Sequence, residues 1–154
     1  MRALRARVAI AVAPMDVFHV LTDFDSYASW NSWLKDVHGQ AKVGECVMVR
    51  PNMISLLGYR LTYRLEKIQA PDTLLWRELG WFTRLFHTVR EYQVFTRAGG
   101  GSIYSVTLRF EGPLSPLVSV FYGRAVSLGL QQETEALKQY CEMHYAVPKK
   151  AGRC

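Results

Sequence analysis

The side chains in this sequence with the reactivity to act on an organic molecule are Arg90, Gln132, Glu135, Tyr63, Tyr92 and Tyr104. A guanidinium can grip a carboxylate or enolate through two parallel hydrogen bonds, an amide can bond a carbonyl, and a carboxyl or phenol can move a proton. Together they form no recognised catalytic set, so no catalytic residue is assigned. His19, His38, His87 and His144 are scattered without metal-ligand spacing, and Cys46, Cys141 and Cys154 form neither a CxxC pair nor a Cys/His cluster. The expectation is a site with no metal and no cofactor.

Whether these groups converge depends on the elements that carry them. The segment from Leu114 to His144 reads as one long helix, with Ser115 able to cap it, Pro116 suited to the first turn and no further proline before Pro148. Leu117, Phe121, Ala125, Leu128, Ala136 and Met143 fall within about 100° of one another on its wheel, the width of a core-facing stripe. Gln132 lies in that stripe and Glu135 at its edge. A polar group aimed inward needs water, protein or ligand as a partner, which suggests a cavity. For Gln132, a water or backbone partner is preferred to a ligand carbonyl. Gly123 and Gly129 either let this helix approach its neighbours or leave room for a ligand.

Upstream, residues 2–12 read as a strand, Pro14 opens a helix with Val17, Phe18, Leu21 and Phe24 three or four apart, and residues 28–34 read as a short helix bearing Trp30 and Trp33. Strands follow at 36–42, 45–50, 59–68 and 73–79. A hairpin then joins 88–97 to 102–111 across Ala98-Gly99-Gly100-Gly101. Tyr104, Val106, Leu108 and Phe110 share one face of the last strand. If Arg90, Tyr92 and Val94 face the same way on its partner, Arg90 is a charge pointing inward: either it holds a ligand anion or it pairs with an acidic neighbour such as Glu135. The loops at 51–58, with Met53, Ile54, Leu56 and Leu57, and at 80–86, with Trp81, Phe82, Leu85 and Phe86, are unusually apolar. Consecutive strands with short connections, closed by a helix with an apolar face, predict an α+β fold in which an antiparallel sheet of about seven strands carries the long helix.

The 154 residues suit a single domain, taken as 1–147, followed by a basic tail at 148–154. The net charge of +6 is concentrated at the ends, in Arg2, Arg5, Arg7, Lys149, Lys150 and Arg153, while residues 8–148 balance. No basic stripe follows, so nucleic acid is not expected as a partner, although the ends suit weak contact with an anionic membrane. The three cysteines suit a reducing, cytoplasmic compartment. Val8 to Ala13 is too short for a signal-peptide core and reads as strand, and no stretch reaches the ~20 apolar residues of a membrane span.

The run Ala13-Pro14-Met15-Asp16-Val17-Phe18-His19-Val20-Leu21-Thr22-Asp23-Phe24-Asp25-Ser26-Tyr27-Ala28-Ser29-Trp30-Asn31 resembles the opening signature of the START-like, polyketide cyclase/dehydrase superfamily, also called SRPBCC. Val43-Gly44, Leu74 with Trp76, and Phe110-Glu111-Gly112 are similar to later features of that family, whereas Ser32 stands where proline is frequent. The resemblance implies a helix-grip fold around a deep hydrophobic pocket, and members that bind lipids, sterols, quinones or polyketides, some of them catalysing cyclisation or dehydration. Val106 and Leu108 replace polar residues of the last strand in many relatives, which makes this pocket greasier.

Three functions follow as expectations. The first is binding or transport of a small hydrophobic ligand between sheet and helix, contacted by Trp30, Tyr63, Trp76, Arg90, Tyr92, Tyr104, Leu108, Phe121, Leu128 and Gln132. The second is a cyclase or dehydratase in which Arg90 and a tyrosine stabilise an enolate. The third is a protein or membrane interaction module that holds no ligand. Monomer and homodimer both remain open.

Overall fold

A computed structural model describes residues 2–52, 60–80 and 82–145. The apolar run Met53, Ile54, Leu56 and Leu57, together with Tyr59, Trp81 and the basic tail, lies outside the described residues. The order is β1 (Arg2–Ile10), α1 (Pro14–Thr22), a 3-10 turn (Phe24–Ser26), α2 (Tyr27–Trp30), β2 (Leu34–His38), β3 (Cys46–Pro51), β4 (Leu61–Gln69), β5 (Thr73–Leu79), β6 (His87–Thr96), β7 (Ser102–Glu111) and α3 (Ser115–Tyr145). The expected short helix is only α2. Residues 31–33 leave it because the Asn31 side-chain oxygen accepts the Trp33 and Leu34 N–H groups at 3.0 and 2.8 Å, turning the chain into β2.

The seven strands form one antiparallel sheet in the order β1-β7-β6-β5-β4-β3-β2, so the N-terminal strand closes onto the last one. Period-2 alternation sets its inner face: Tyr63 and Leu65 on β4, Leu74 and Trp76 on β5, Arg90, Tyr92 and Val94 on β6, and Tyr104, Val106, Leu108 and Phe110 on β7 are all buried. Arg90 stands opposite Leu108, and Tyr92 opposite Val106, as the hairpin register predicts.

α3 crosses this face. Its C-terminal half is tied to the end of β1, where Lys138 donates to the Ala9 carbonyl at 3.1 Å, and to the residue just after it, where Glu142 accepts the Ala11 N–H at 2.9 Å. Ser119, Val126, Gly129, Leu130, Glu133, Thr134, Leu137 and Cys141 are the side turned inward. This corrects the expected stripe: Phe121 is 72% exposed and Leu128 51%, and Leu117, Ala125, Gln132, Glu135 and Met143 are exposed with them. Large apolar residues occupy both faces of the first half of the helix, so its composition favours neither. The phase is fixed instead by Val126, Leu130, Leu137 and Cys141 at successive spacings of four, seven and four.

Candidate functional site

Two polar constellations lie on the inner face of the sheet, one sealed and one open. The sealed one is centred on Arg90. Its Nη2 donates to Glu133 Oε2 at 2.7 Å, its Nε donates to Tyr92 Oη at 3.0 Å, and Tyr92 donates on to Glu133 Oε1 at 3.3 Å. Arg90 and Glu133 are 1% and 0% exposed. The guanidinium also lies over the Trp33 ring, 5.0 Å from its centroid, and Trp33 in turn packs where Gly129 leaves α3 without a side chain. Burial pushes the Glu133 carboxyl above its ordinary range and Arg90 only partly offsets this. Burial works the other way on Arg90, yet Glu133 and the surrounding tyrosines keep it firmly protonated. Of the two alternatives for Arg90, the structure gives an internal ion pair, with Glu133 as its acid and Glu135 out in solvent.

Around this pair the expected ligand-wall residues pack against one another. Trp76 lies 5.3 Å from Tyr92, 5.9 Å from Tyr63 and 5.4 Å from Phe24, and Tyr92 stacks on Tyr104 at 6.3 Å. Trp30 packs on Tyr27 and hydrogen-bonds Ser26 through Nε1. The structure thus gathers Tyr63, Trp76, Arg90, Tyr92, Tyr104 and Leu108 on the inner sheet face, sets Trp30 in the adjoining core, and places Phe121, Leu128 and Gln132 on the outer side of α3.

The open constellation adjoins it, beginning at Thr88, two residues before Arg90 on the same face of β6. A cavity of about 600 Å³ is lined by Leu61, Leu79, Phe82, Phe86, Phe110, Val118 and Tyr122, with Arg60, Thr62, Glu78, Gly80, Thr83 and Thr88. Gly80, Phe82, Thr83 and Phe86, from the loop after β5, form one wall. It is held by the Leu114 N–H on the Leu85 carbonyl at 2.9 Å, and by His87 Nδ1 donating to the Thr83 carbonyl at 2.9 Å while Nε2 lies 2.9 Å from Glu111. The stack of Phe86 on Phe110, with centroids 5.8 Å apart, backs the cavity.

Its polar end is Glu78. One carboxylate oxygen, Oε2, accepts both the Thr88 N–H at 2.9 Å and the Thr88 hydroxyl at 2.8 Å. Since that hydroxyl hydrogen is committed to Glu78, Tyr63 Oη, 3.0 Å from Thr88 Oγ1, is the donor of their bond. The chain Tyr63→Thr88→Glu78 therefore ends on an acceptor. Glu78 makes no ion pair among the described residues, and burial raises its carboxyl above the ordinary range, with the Thr88 bonds opposing.

None of the ten expected contact residues lines this cavity, although Phe82 and Phe86 of the expected apolar loop, and Phe110, do. Glu78 and Glu133 were missed. Leu74, Trp76 and Glu78 alternate along one strand, which put Glu78 on the inner face. Glu133 falls three residues after Leu130 and four before Leu137, which put it on the inner side of α3.

A curled antiparallel sheet gripping a long C-terminal helix, with an apolar cavity at one end, is the helix-grip architecture. Residues 1–142 match the family model described as polyketide cyclase / dehydrase and lipid transport, and the chain belongs to that family. None of the curated proteins matches the sequence. Among solved structures, the two-domain ARO/CYC StfQ from the steffimycin biosynthetic pathway aligns at 10% identity and a TM-score of 0.73, over 92% of this chain and 51% of that one. Truncated norcoclaurine synthase from Thalictrum flavum aligns at 9% identity and 0.68, over 93% and 94%. A hypothetical protein of Helicobacter pylori aligns at 12% and 0.75, over 90% and 87%. At such identities these likenesses establish the fold alone. No helix among the described residues is long and apolar enough to cross a membrane.

Proposed function

We propose that this protein binds a small hydrophobic molecule with one hydrogen-bond-donating end, its apolar body in the 600 Å³ cavity and its polar end at Glu78. The observation that carries this reading is the cavity itself: aromatic and aliphatic walls converging on a carboxylate that has no ion-pair partner among the described residues. Pockets of this kind take most of their affinity from apolar burial and their orientation from a few polar groups. Burying roughly 300 Å² of hydrocarbon at about 25 cal/mol per Å² supports binding near the micromolar range. The family's description, which joins cyclase/dehydrase to lipid transport, supports a ligand of this class.

Native mass spectrometry tests it. In the presence of 1-decanol the wild-type chain should carry one adduct, with weaker binding of decanoate, whose carboxylate would meet Glu78. Val118→Trp, which fills the cavity from α3, should lose the adduct while keeping the fold. The absence of any adduct with decanol, decanoate and a naphthol would overturn the reading.

A second reading rests on Glu78 alone. A half-buried carboxyl with a raised pKa beside an apolar cavity suits a general base in a cyclisation or dehydration. Such chemistry would use Glu78 and not Arg90, whose charge is already answered by Glu133. Turnover of a polyketide-like aromatic precursor, followed by absorbance and abolished in Glu78→Gln without loss of binding, would support it.

A further inference from the structure

The side of α3 that the sequence marks as apolar but the fold turns outward needs an occupant. At 3.6 residues per turn, Leu117, Val120, Phe121, Arg124 and Leu128 form one stripe on the outer face. Val120 and Phe121 are each 72% exposed. The stripe continues into the pocket mouth, because Val118 and Tyr122 on the same helix line the cavity and Leu114 is bonded to the loop that carries exposed Leu85 and Arg84. Exposed apolar patches of this extent mark contact surfaces.

Charge identifies what fits. Between Glu111 and Glu133 the only charged residue is Arg124, and between Glu78 and His87 the only one is Arg84. Arg60, also exposed, stands at the cavity. The rim thus combines aromatic and aliphatic side chains with arginines, while the carboxylates beside it among the described residues, Glu78 and Glu111, are half-buried and already engaged with Thr88 and His87. A second copy of this chain meeting it about a twofold axis would set arginine against arginine with no acid between them. A surface of anionic headgroups over hydrocarbon supplies both missing partners.

We infer that the pocket rim, residues 82–86 and the outer face of the first half of α3, docks peripherally onto an anionic lipid bilayer. Val120, Phe121 and Leu117 enter the headgroup boundary, Arg84 and Arg124 meet the phosphates, and the cavity mouth opens toward the acyl chains. This does not depend on what the cavity binds.

Flotation of the full chain with phosphatidylcholine vesicles, with and without phosphatidylglycerol, tests it at low salt. The wild type should float only with the anionic vesicles. Val120→Asp/Phe121→Asp and Arg84→Glu/Arg124→Glu should each weaken flotation by roughly tenfold or more, given about a fivefold effect per basic residue at such surfaces. These side chains are exposed, so unchanged circular dichroism and melting accompany the loss. Lys149→Gln/Lys150→Gln should retain most of the binding. Failure of the wild type to float, rim variants that float like it, or a sedimentation dimer that Val120→Asp/Phe121→Asp dissociates would each overturn the inference.

Discussion

Arg90 and Glu133 meet at 2.7 Å across the interface of sheet and helix, and neither is more than 1% exposed. Separated by 43 residues in sequence, the two side chains tie β6 to α3. A pair so placed specifies how the helix seats without stabilising the fold much overall, because desolvation consumes most of its Coulomb attraction. Removing one partner is another matter. Glu133→Ala and Arg90→Ala should each cost about 3–5 kcal/mol, as each leaves an uncompensated buried charge. Arg90→Met/Glu133→Leu should recover most of that loss in urea denaturation. A double variant as unstable as the singles would show that the seat of α3 requires the charges.

Gly129 and Gly123 should behave oppositely despite lying on one helix. A methyl group at Gly129 would collide with the Trp33 indole, whereas at Gly123 it meets nothing within 4 Å. Gly129→Ala should destabilise by about 1–3 kcal/mol through overpacking. Gly123→Ala should stabilise by up to about 1 kcal/mol through helix propensity. Thermal melts of the two variants decide this, and equal shifts would contradict the packing of Trp33 on α3.

Glu78 gives the fold a defined pH signature. Its carboxyl is raised on folding, chiefly by burial, so the folded state holds this proton more tightly than the unfolded chain. The group therefore contributes stability that is fully present below the ordinary carboxylate pKa and is lost as pH rises through the folded value. The stability of wild type minus that of Glu78→Gln, followed by urea denaturation at a series of pH values, should accordingly fall from pH 4 toward neutrality. A gap that grows with pH would mean that a cation holds Glu78 ionised.

Much of the architecture was legible because antiparallel hairpins write themselves as alternation. Tyr104, Val106, Leu108 and Phe110, with Arg90 and Tyr92 opposite, fixed the hairpin and its inward cation, and the structure places them so. The long helix was legible in extent but not in phase. Leu117, Phe121 and Leu128 are as apolar as Val126, Leu130 and Leu137, and nothing local tells a core face from a contact face. With that phase lost, Glu133 was passed over for Glu135, and Gln132 was aimed inward. The cavity was harder still: its position depends on where helix and sheet diverge, a property of the whole fold that no single segment encodes.

If the cavity beside Glu78 receives the apolar ligand, the bound molecule must touch the side chains that line it. Isotope-filtered NMR of the methyl-labelled chain saturated with 1-decanol reads those contacts. Intermolecular contacts are expected from the alkyl chain to the methyls of Leu61, Leu79 and Val118, which line the cavity, and none to Leu65, Leu74 or Leu130 in the packed core. Contacts to that core, or to Leu128 on the outer face alone, would contradict it.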